Sequence, residues 1–159
     1  MDNTPANETG TGAGDYVGQA IADALSVLLR RTTRARLHSR LTDGMGEALD
    51  ELTYPVISAL ARTGPRSAAD LAHEVGLDRS GVTRRASRLE AAGLVRRETD
   101  PADRRAQLLV LTEDGRSTVA ELRVRLVDHI MESMSSWPPD EAETFARQLR
   151  RFTTEGPFG

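Results

Sequence analysis

The chain has 159 residues, few aromatic residues and a net charge of −3, which allow one domain with a sizeable core and favour helices over a β-sandwich. The absence of cysteine excludes disulfides, thiolate metal sites and thiol-based oxidation sensing. No apolar run approaches the length of about 18 residues that a membrane span requires, and no signal-peptide pattern opens the chain, so we expect a cytoplasmic protein with no membrane partner.

The first part of the chain predicts a tail followed by one long helix. Residues 1–14 are rich in Asn, Thr, Gly and Ala, which is typical of a disordered tail. From Asp15, apolar residues recur at helical spacing as far as Leu41, and the helix is expected to end by Gly44. A helix of roughly 25 residues spans about 40 Å, so it is expected to pack on a second subunit or, alternatively, to lie across its own monomer. It carries a basic patch of arginines at positions 30, 31, 34, 36 and 40.

The next segments predict the start of a helix-turn-helix. Thr53 is the expected N-cap of a helix that ends before Gly64. Ser67 then resembles the first residue of a capping box, with Asp in place of the usual Glu three residues later. Gly76 stands where a helix end requires a positive φ, and Asp78 or the serine at position 80 can cap the helix that follows.

That following helix combines one apolar stripe with a polar face. Val82, Ala86 and Leu89 recur at helical spacing, so this side can dock on a core. Arginine offers a planar fork that fits guanine edges or phosphates, and serine or threonine can bond to a phosphate or a base. The residues predicted to contact DNA from this helix are Ser80, Thr83, Arg84, Arg85, Ser87 and Arg88.

Two short strands predict a β-hairpin wing after this helix. Residues 94–98 and 106–111 read as strands, joined by a turn at residues 100–103. Arg104 and Arg105 lie close to the tip, where long cations can reach a flanking minor groove or the DNA backbone. Asp103 is predicted to shape the wing, either on its own or through an ion pair with one of these arginines.

Positive charge is concentrated in this part of the chain. Residues 79–105 contain eight arginines and four acidic residues, a local charge of +4 in a chain whose net charge is −3. A basic block on an otherwise acidic body focuses the binding of a polyanion onto one surface.

The last third of the chain predicts two more helices. Thr112 is the expected cap of the first, and the tetrapeptide that begins at Trp137 separates it from the second. The long helical segments at the two ends of the chain each have more apolar surface than the middle of the chain can cover, so they are expected to meet and dimerise. The predicted fold is mainly α with a small β-hairpin, arranged as a disordered tail at 1–14, a helical dimerisation region at 15–45 and 112–155, and a winged helix-turn-helix domain at 50–111.

In this arrangement the chain resembles the MarR family of bacterial transcriptional regulators. The resemblance is carried by residues 78–85, by residues 89–97, and by Asp103-Arg-Arg followed five residues later by Leu-Thr, the wing signature of the family. It covers about residues 15 to 154. It implies a homodimer that binds double-stranded DNA at a pseudo-palindromic operator, and that represses a neighbouring gene or its own until a small molecule weakens binding.

The resemblance also implies where an effector would bind. In ligand-responsive relatives the pocket lies between the dimer helices and the DNA-binding lobe, a zone expected here to contain Arg34, His38, Tyr54 and His129. Arginine and histidine can bind a carboxylate while the surroundings stay apolar, which favours an aromatic acid. The alternative is that these residues pack or solvate a hinge. We expect no cofactor, and no metal, because the three histidines lie on different predicted helices without a carboxylate cluster.

Three other interpretations compete with a ligand-responsive repressor. An enzyme could use Ser80 or Ser87 with His73, but no nucleophile elbow, phosphate loop or metal motif surrounds them, so no enzymatic activity is predicted. A protein-interaction module is the second, since winged helices are reused to bind proteins, although the basic block favours nucleic acid. A DNA-binding regulator without a ligand is the third.

Overall fold

A computed structural model describes residues 11–157, with side chains from Gly14 onward. The described chain is mainly helical and contains one small antiparallel sheet, which confirms the predicted fold class. The helices are α1 (Thr11–Leu29), α2 (Arg31–Thr42), α3 (Tyr54–Thr63), α4 (Ala68–Val75), α5 (Arg79–Ala91), α6 (Glu113–Ser133) and α7 (Pro139–Glu155). The strands are β1 (Arg66–Ser67), β2 (Val95–Thr99) and β3 (Gln107–Leu111).

The chain divides into two compact units, Met1–Arg116 and Ser117–Gly159, and the boundary falls inside α6. Part of the predicted tail, residues 1–10, lies outside the described residues. The first helix begins at Thr11, four residues before the predicted start of order at Asp15. In the part of the chain that is described, no helix has both the length and the apolar character needed to cross a bilayer.

The prediction of one continuous helix up to residue 44 is wrong. The helix breaks at Arg30, whose backbone is extended (φ −58°, ψ 133°) and which precedes the first turn of α2. Thr32 and Thr33 follow in that first turn, and their β-branched side chains have a low preference for a helix interior. The apolar spacing continues through this point, so the pattern alone did not reveal the break.

The core of the first unit is built by one face each of α3, α4 and α5. The predicted stripe of α5 is confirmed, because Val82, Ala86 and Leu89 are completely buried. Full burial of a side chain such as leucine stabilises the fold by about 1.5–3 kcal/mol. The other wholly buried large side chains of this core include Ile57, Leu60, Leu71, Val95 and Leu109.

Local hydrogen bonds set the ends of these helices largely as predicted. Gly76 adopts the left-handed conformation (φ 66°, ψ 40°) and ends α4. The hydroxyl of Ser67 accepts a hydrogen bond from the Asp70 amide at 3.2 Å, and Asp78 accepts one from the Gly81 amide at 2.6 Å.

Thr53 lies directly before α3, but its side chain does not cap that helix as predicted. Thr53 has a helical backbone conformation and is fully buried. Its hydroxyl instead donates to the Ala48 carbonyl at 2.8 Å and accepts from the Asp50 amide at 3.0 Å. Thr53 therefore stabilises the connecting segment, residues 43–53, that joins α2 to α3.

The wing is the hairpin of β2 and β3, in which Val95 pairs with Leu111 and Thr99 with Gln107. The strands agree with the predicted ones to within one residue. A third strand, β1, pairs with β3 and was not predicted, because two residues are too few to show an alternating pattern.

The wing is anchored to the start of α6 by a close backbone approach. Thr112 caps α6 as predicted, accepting a hydrogen bond from the Gly115 amide at 3.0 Å. The Thr112 amide donates to the Leu94 carbonyl at 3.1 Å. A Cβ atom at position 115 would lie 2.0 Å from that same carbonyl oxygen, so this position requires glycine.

The second unit leaves much of its apolar surface uncovered. No residue of α7 is buried, and Phe145 and Leu149, the predicted apolar side of this helix, are each almost half exposed. The rings of Trp137 and Phe145 meet edge to face with centroids 5.4 Å apart. Further exposed apolar residues of α6 are Val124, Val127, Ile130 and Met131.

Candidate nucleic-acid interface

The arginine-rich helix α5 is held at its start by Asp78. The Ser80 hydroxyl donates to the Asp78 carboxylate at 2.6 Å, and the Gly81 amide donates to the same oxygen. The hydrogen bond from the Ser80 hydroxyl lowers the pKa of Asp78 most, and the one from the Gly81 amide lowers it further. The carboxylate therefore stays ionised at the positive end of the helix dipole. With its apolar stripe buried, α5 presents its remaining sides to solvent and to the connecting segment.

Two arginines of α5 are exposed and have no hydrogen-bond or ion-pair partner in the part of the chain that the structure describes. Arg84 was predicted to contact DNA, and its side chain makes no hydrogen bond or ion pair within residues 11–157, although its charge helps to lower the pKa of Asp78. Arg79, the first residue of α5, is similarly exposed and without such a partner among the described residues. The sequence reasoning did not select Arg79, although its place beside Ser80 at the start of the helix could have indicated it.

Arg85 and Arg88 differ from Arg84, although all three were predicted to contact DNA. The Arg85 guanidinium donates from Nε to the Leu52 carbonyl at 2.9 Å, and from a terminal nitrogen to the Gly81 carbonyl at 2.9 Å. Arg88 forms an ion pair with Asp50 at 2.8 Å and donates to the Glu47 carbonyl at 2.8 Å. Both guanidinium groups therefore bind the connecting segment.

The hydroxyl groups of α5 also have partners within the protein. Thr83 donates to the Arg79 carbonyl of its own helix at 2.9 Å. Ser87 accepts from Arg97 of β2 at 3.4 Å, and Arg97 also pairs with Glu90 at 3.0 Å. Each hydroxyl oxygen has further bonding capacity, so Ser80, Thr83 and Ser87 can still meet a phosphate or a base.

The wing turn is shaped by carboxylates that accept from backbone amides. Asp103 accepts from the Arg105 amide at 2.9 Å, and Asp100 accepts from the Ala102 amide at 2.8 Å. The alternative role for Asp103, an ion pair with Arg104 or Arg105, does not occur among the residues that the structure describes. Both arginine side chains are exposed and, within the same residues, make no hydrogen bond or ion pair.

Of the four residues predicted for an effector pocket, the structure brings His38 and Tyr54 together. Their ring centroids lie 4.4 Å apart with an interplanar angle of 30°. Burial lowers the pKa of His38, a backbone hydrogen bond with Glu51 opposes this shift, and the positive charge of Arg34 adds to it. His129 belongs to the second unit, where its Nδ1 atom lies 4.0 Å from a carboxylate oxygen of Glu132.

His73 lines a cleft to which neither of the two candidate nucleophilic serines contributes. It lines an open polar cleft of about 240 Å³ together with Thr63, Arg66, Asp70 and Glu74. Neither Ser80 nor Ser87 lines this cleft, and Ser80 is bonded to Asp78. The described residues therefore do not assemble a serine nucleophile with a histidine base at this cleft.

Comparison with known proteins relates the helix-turn-helix segment to a family. The MarR family model matches residues 49–106. YxaD of Bacillus subtilis (strain 168), an HTH-type transcriptional regulator, is 29% identical over 103 residues, which are 65% of this chain and 72% of the relative. NicR of Pseudomonas putida, an HTH-type transcriptional repressor, is 29% identical over 115 residues, which are 72% of this chain and 65% of the relative.

Solved structures of regulators share the fold. The PcaV transcriptional regulator from Streptomyces coelicolor, solved with its natural ligand, is 26% identical with a TM-score of 0.52 and covers 94% of this chain and 97% of its own. MarR from E. coli in its apo form has a TM-score of 0.66 at 20% identity, covers 85% of this chain and 95% of its own, and shows the fold alone. Residues 49–106 therefore match the MarR family, and the chain is similar to transcriptional regulators and shares the winged-helix fold of their solved structures.

Proposed function

We propose that this protein is a homodimeric repressor that binds a pseudo-palindromic operator in double-stranded DNA and is released by a small aromatic acid. The observation that carries the DNA-binding part is a set of exposed arginines without an acidic partner among the described residues, on α5 and at the wing tip. Such cations are free to replace the counterions of a phosphate backbone. They are Arg79, Arg84, Arg104 and Arg105.

The two groups of arginines suit two different parts of a duplex. A major groove about 12 Å wide admits a helix such as α5, and Arg84 can then meet a guanine edge with both arms of its guanidinium. Arg104 and Arg105 lie on the wing, where they reach phosphates or the minor groove. The helix thus supplies sequence preference, and the wing supplies affinity that depends little on sequence.

Uncovered apolar surface supports the homodimer. In α1, Tyr16 is 76% exposed and Leu28 is 61% exposed. In the second unit, Met131 is 61% exposed, and Phe145 and Leu149 are each almost half exposed. A monomer would leave these faces in water, whereas a second copy of the chain can cover them. Two copies would present two α5 helices to half-sites about one helical turn apart.

Two relatives support the repressor and ligand parts of the proposal. NicR is named a transcriptional repressor, and PcaV was solved in complex with its natural ligand. Arg34, His38 and Tyr54 of the first unit are the residues proposed to hold a carboxylate and an aromatic ring in this protein. A ligand releases DNA only if it binds the free dimer more tightly than the DNA-bound one.

Selection from random duplexes, followed by fluorescence anisotropy at several salt concentrations, tests the DNA-binding proposal. We expect an enriched sequence with two related half-sites, and an affinity that falls steeply with salt because phosphates are neutralised. Absence of enrichment together with salt-independent binding would contradict the proposal and favour a protein-interaction module.

Titration of the selected complex with salicylate tests the effector part. We expect release of the DNA from the unmodified protein and weaker release from the variants Arg34→Ala and His38→Ala. Release that persists unchanged in both variants would remove these two residues from the proposed pocket. Failure of salicylate and related aromatic acids to release the DNA would favour a regulator without such a ligand.

A further inference from the structure

The connecting segment between α2 and α3 is organised around the Asp50 carboxylate. One carboxylate oxygen accepts from the amides of Leu52 at 2.9 Å and Thr53 at 2.8 Å. The other oxygen accepts from Arg88 of α5 at 2.8 Å. Partial burial favours the neutral carboxyl, but the hydrogen bonds from Arg88, Thr53 and Leu52 outweigh it and lower the pKa of Asp50. The carboxylate therefore stays charged and serves as a fixed acceptor.

Two arginines one turn apart on α5 bind this segment at three places. Arg88 reaches Asp50 and the Glu47 carbonyl, and Arg85 reaches the Leu52 carbonyl. The acceptors are themselves held in place, because the buried Thr53 hydroxyl bonds to the Ala48 carbonyl within the same segment. The planar guanidinium fork makes such paired interactions directional.

We propose that Asp50, Arg85 and Arg88 are positioning residues, which set the angle of α5 against the connecting segment so that Arg84 meets the DNA. Arg85 and Arg88 do not themselves contact DNA. This inference rests on the proposed DNA-binding function. A recognition group tolerates displacement of only about 0.5 Å before its interactions weaken, so a small rotation of α5 is enough to weaken binding. Exposed ion pairs contribute little to overall stability, so the fold should survive the loss of this one.

The variant Asp50→Asn distinguishes positioning from direct contact by the sign of its effect. Asparagine keeps an oxygen that can accept from Leu52 and Thr53, but it loses the charge that holds Arg88. If Arg88 contacted DNA and were restrained by Asp50, the variant would free a cation, remove a negative charge and bind the selected operator more tightly. Positioning predicts instead that operator binding weakens about fivefold to tenfold, because a rotated α5 costs Arg84 roughly the equivalent of one ordinary hydrogen bond.

Two further measurements keep the test independent of misfolding. The slope of affinity against salt should remain that of the unmodified protein, because the number of neutralised phosphates does not change. The matched control is Glu74→Gln, which removes one carboxylate charge from the Arg62–Glu74 ion pair between α3 and α4 and should leave operator binding unchanged. Both variants should stay folded at the assay temperature, and Asp50→Asn should melt only a few degrees below the unmodified protein at neutral pH, because an exposed ion pair contributes little stability.

Substitutions of Arg88 complete the experiment. Arg88→Ala should weaken operator binding by a factor similar to that of Asp50→Asn, and the double variant should be no weaker than either single one, because both break the same pair. Arg88→Lys should also weaken binding, since one ammonium group cannot reproduce both hydrogen bonds of the fork, whereas a simple phosphate interaction would tolerate lysine.

The inference is overturned if Asp50→Asn binds as tightly as the unmodified protein or more tightly. It is also overturned if the effects of the two substitutions add and Arg88→Ala lowers the salt slope. Failure of the unmodified protein to bind any duplex is a different result, which refutes the proposed function itself.

Discussion

Replacing Gly115 with alanine tests how the wing is anchored to α6. The added Cβ would lie 2.0 Å from the Leu94 carbonyl oxygen and 3.0 Å from its carbon, so the backbone itself must move. Forcing extra volume into such a packed region costs about 1–3 kcal/mol. Losing the hydrogen bond from the Thr112 amide to Leu94 adds about 1 kcal/mol, and the better helix propensity of alanine offsets about 1 kcal/mol. The expected loss in the free energy of unfolding is therefore about 1–3 kcal/mol.

Urea unfolding followed by circular dichroism measures this change, with all variants at one protein concentration because the stability of the proposed dimer depends on that concentration. Ser117→Ala is the matched control, since it introduces the same residue two positions further on, at an exposed site of the same helix. This control should unfold at the same urea concentration as the unmodified protein or at a slightly higher one. A Gly115→Ala variant that is as stable as the control would refute the proposed close approach of α6 to Leu94.

Substitutions with other measurements test three other parts of the chain. Leu149→Asp should lower the molecular mass measured by light scattering, because it places a charge in a proposed apolar dimer interface. Gln148→Asp, the control, should leave the mass unchanged. If Leu149→Asp remained a dimer, this face of α7 would not be the interface. The lowered pKa of Asp50 means that its contribution to stability is present above the ordinary aspartate pKa and is lost as pH falls toward the folded-state value. The difference in melting temperature between the unmodified protein and Asp50→Asn should therefore shrink on acidification, and a constant difference would contradict this. Asp103→Asn should keep the wing protected from hydrogen exchange, because the asparagine side-chain oxygen can still accept from the Arg105 amide, whereas Asp103→Ala should lose this protection. An equal loss of protection in both variants would instead favour an ion pair of Asp103 with an arginine of the wing.

Local patterns in the sequence predicted the elements whose causes are local. The buried stripe of Val82, Ala86 and Leu89, the left-handed Gly76 and the cap formed by Asp78 each depend on residues within one or two turns. The break at Arg30 was missed because the apolar spacing continues through it. Strand β1 was missed because two residues carry no periodic signal and it forms by pairing with β3, about 40 residues later.

The candidate site was predicted as a set of residues but not as a division of roles. Arg84, Arg85 and Arg88 look alike in the sequence, since each is a basic residue on the polar side of one helix. Their partners separate them, and those partners lie far away along the chain. Arg85 binds a carbonyl 33 positions earlier and Arg88 binds a carboxylate 38 positions earlier. No spacing rule within a helix could have identified such interactions.

Binding of the unmodified protein, Arg84→Ala and Arg104→Ala to the selected operator and to a scrambled duplex, at several salt concentrations, tests the central claim most directly. Arg84→Ala should weaken operator binding by about 1–3 kcal/mol and relax the preference at one position of each half-site. Arg104→Ala should weaken binding to both duplexes evenly and reduce the salt slope by about one unit for each phosphate that a subunit no longer neutralises. The assigned roles of helix and wing would be contradicted if Arg84→Ala bound both duplexes as the unmodified protein does while Arg104→Ala alone lost the preference for the operator.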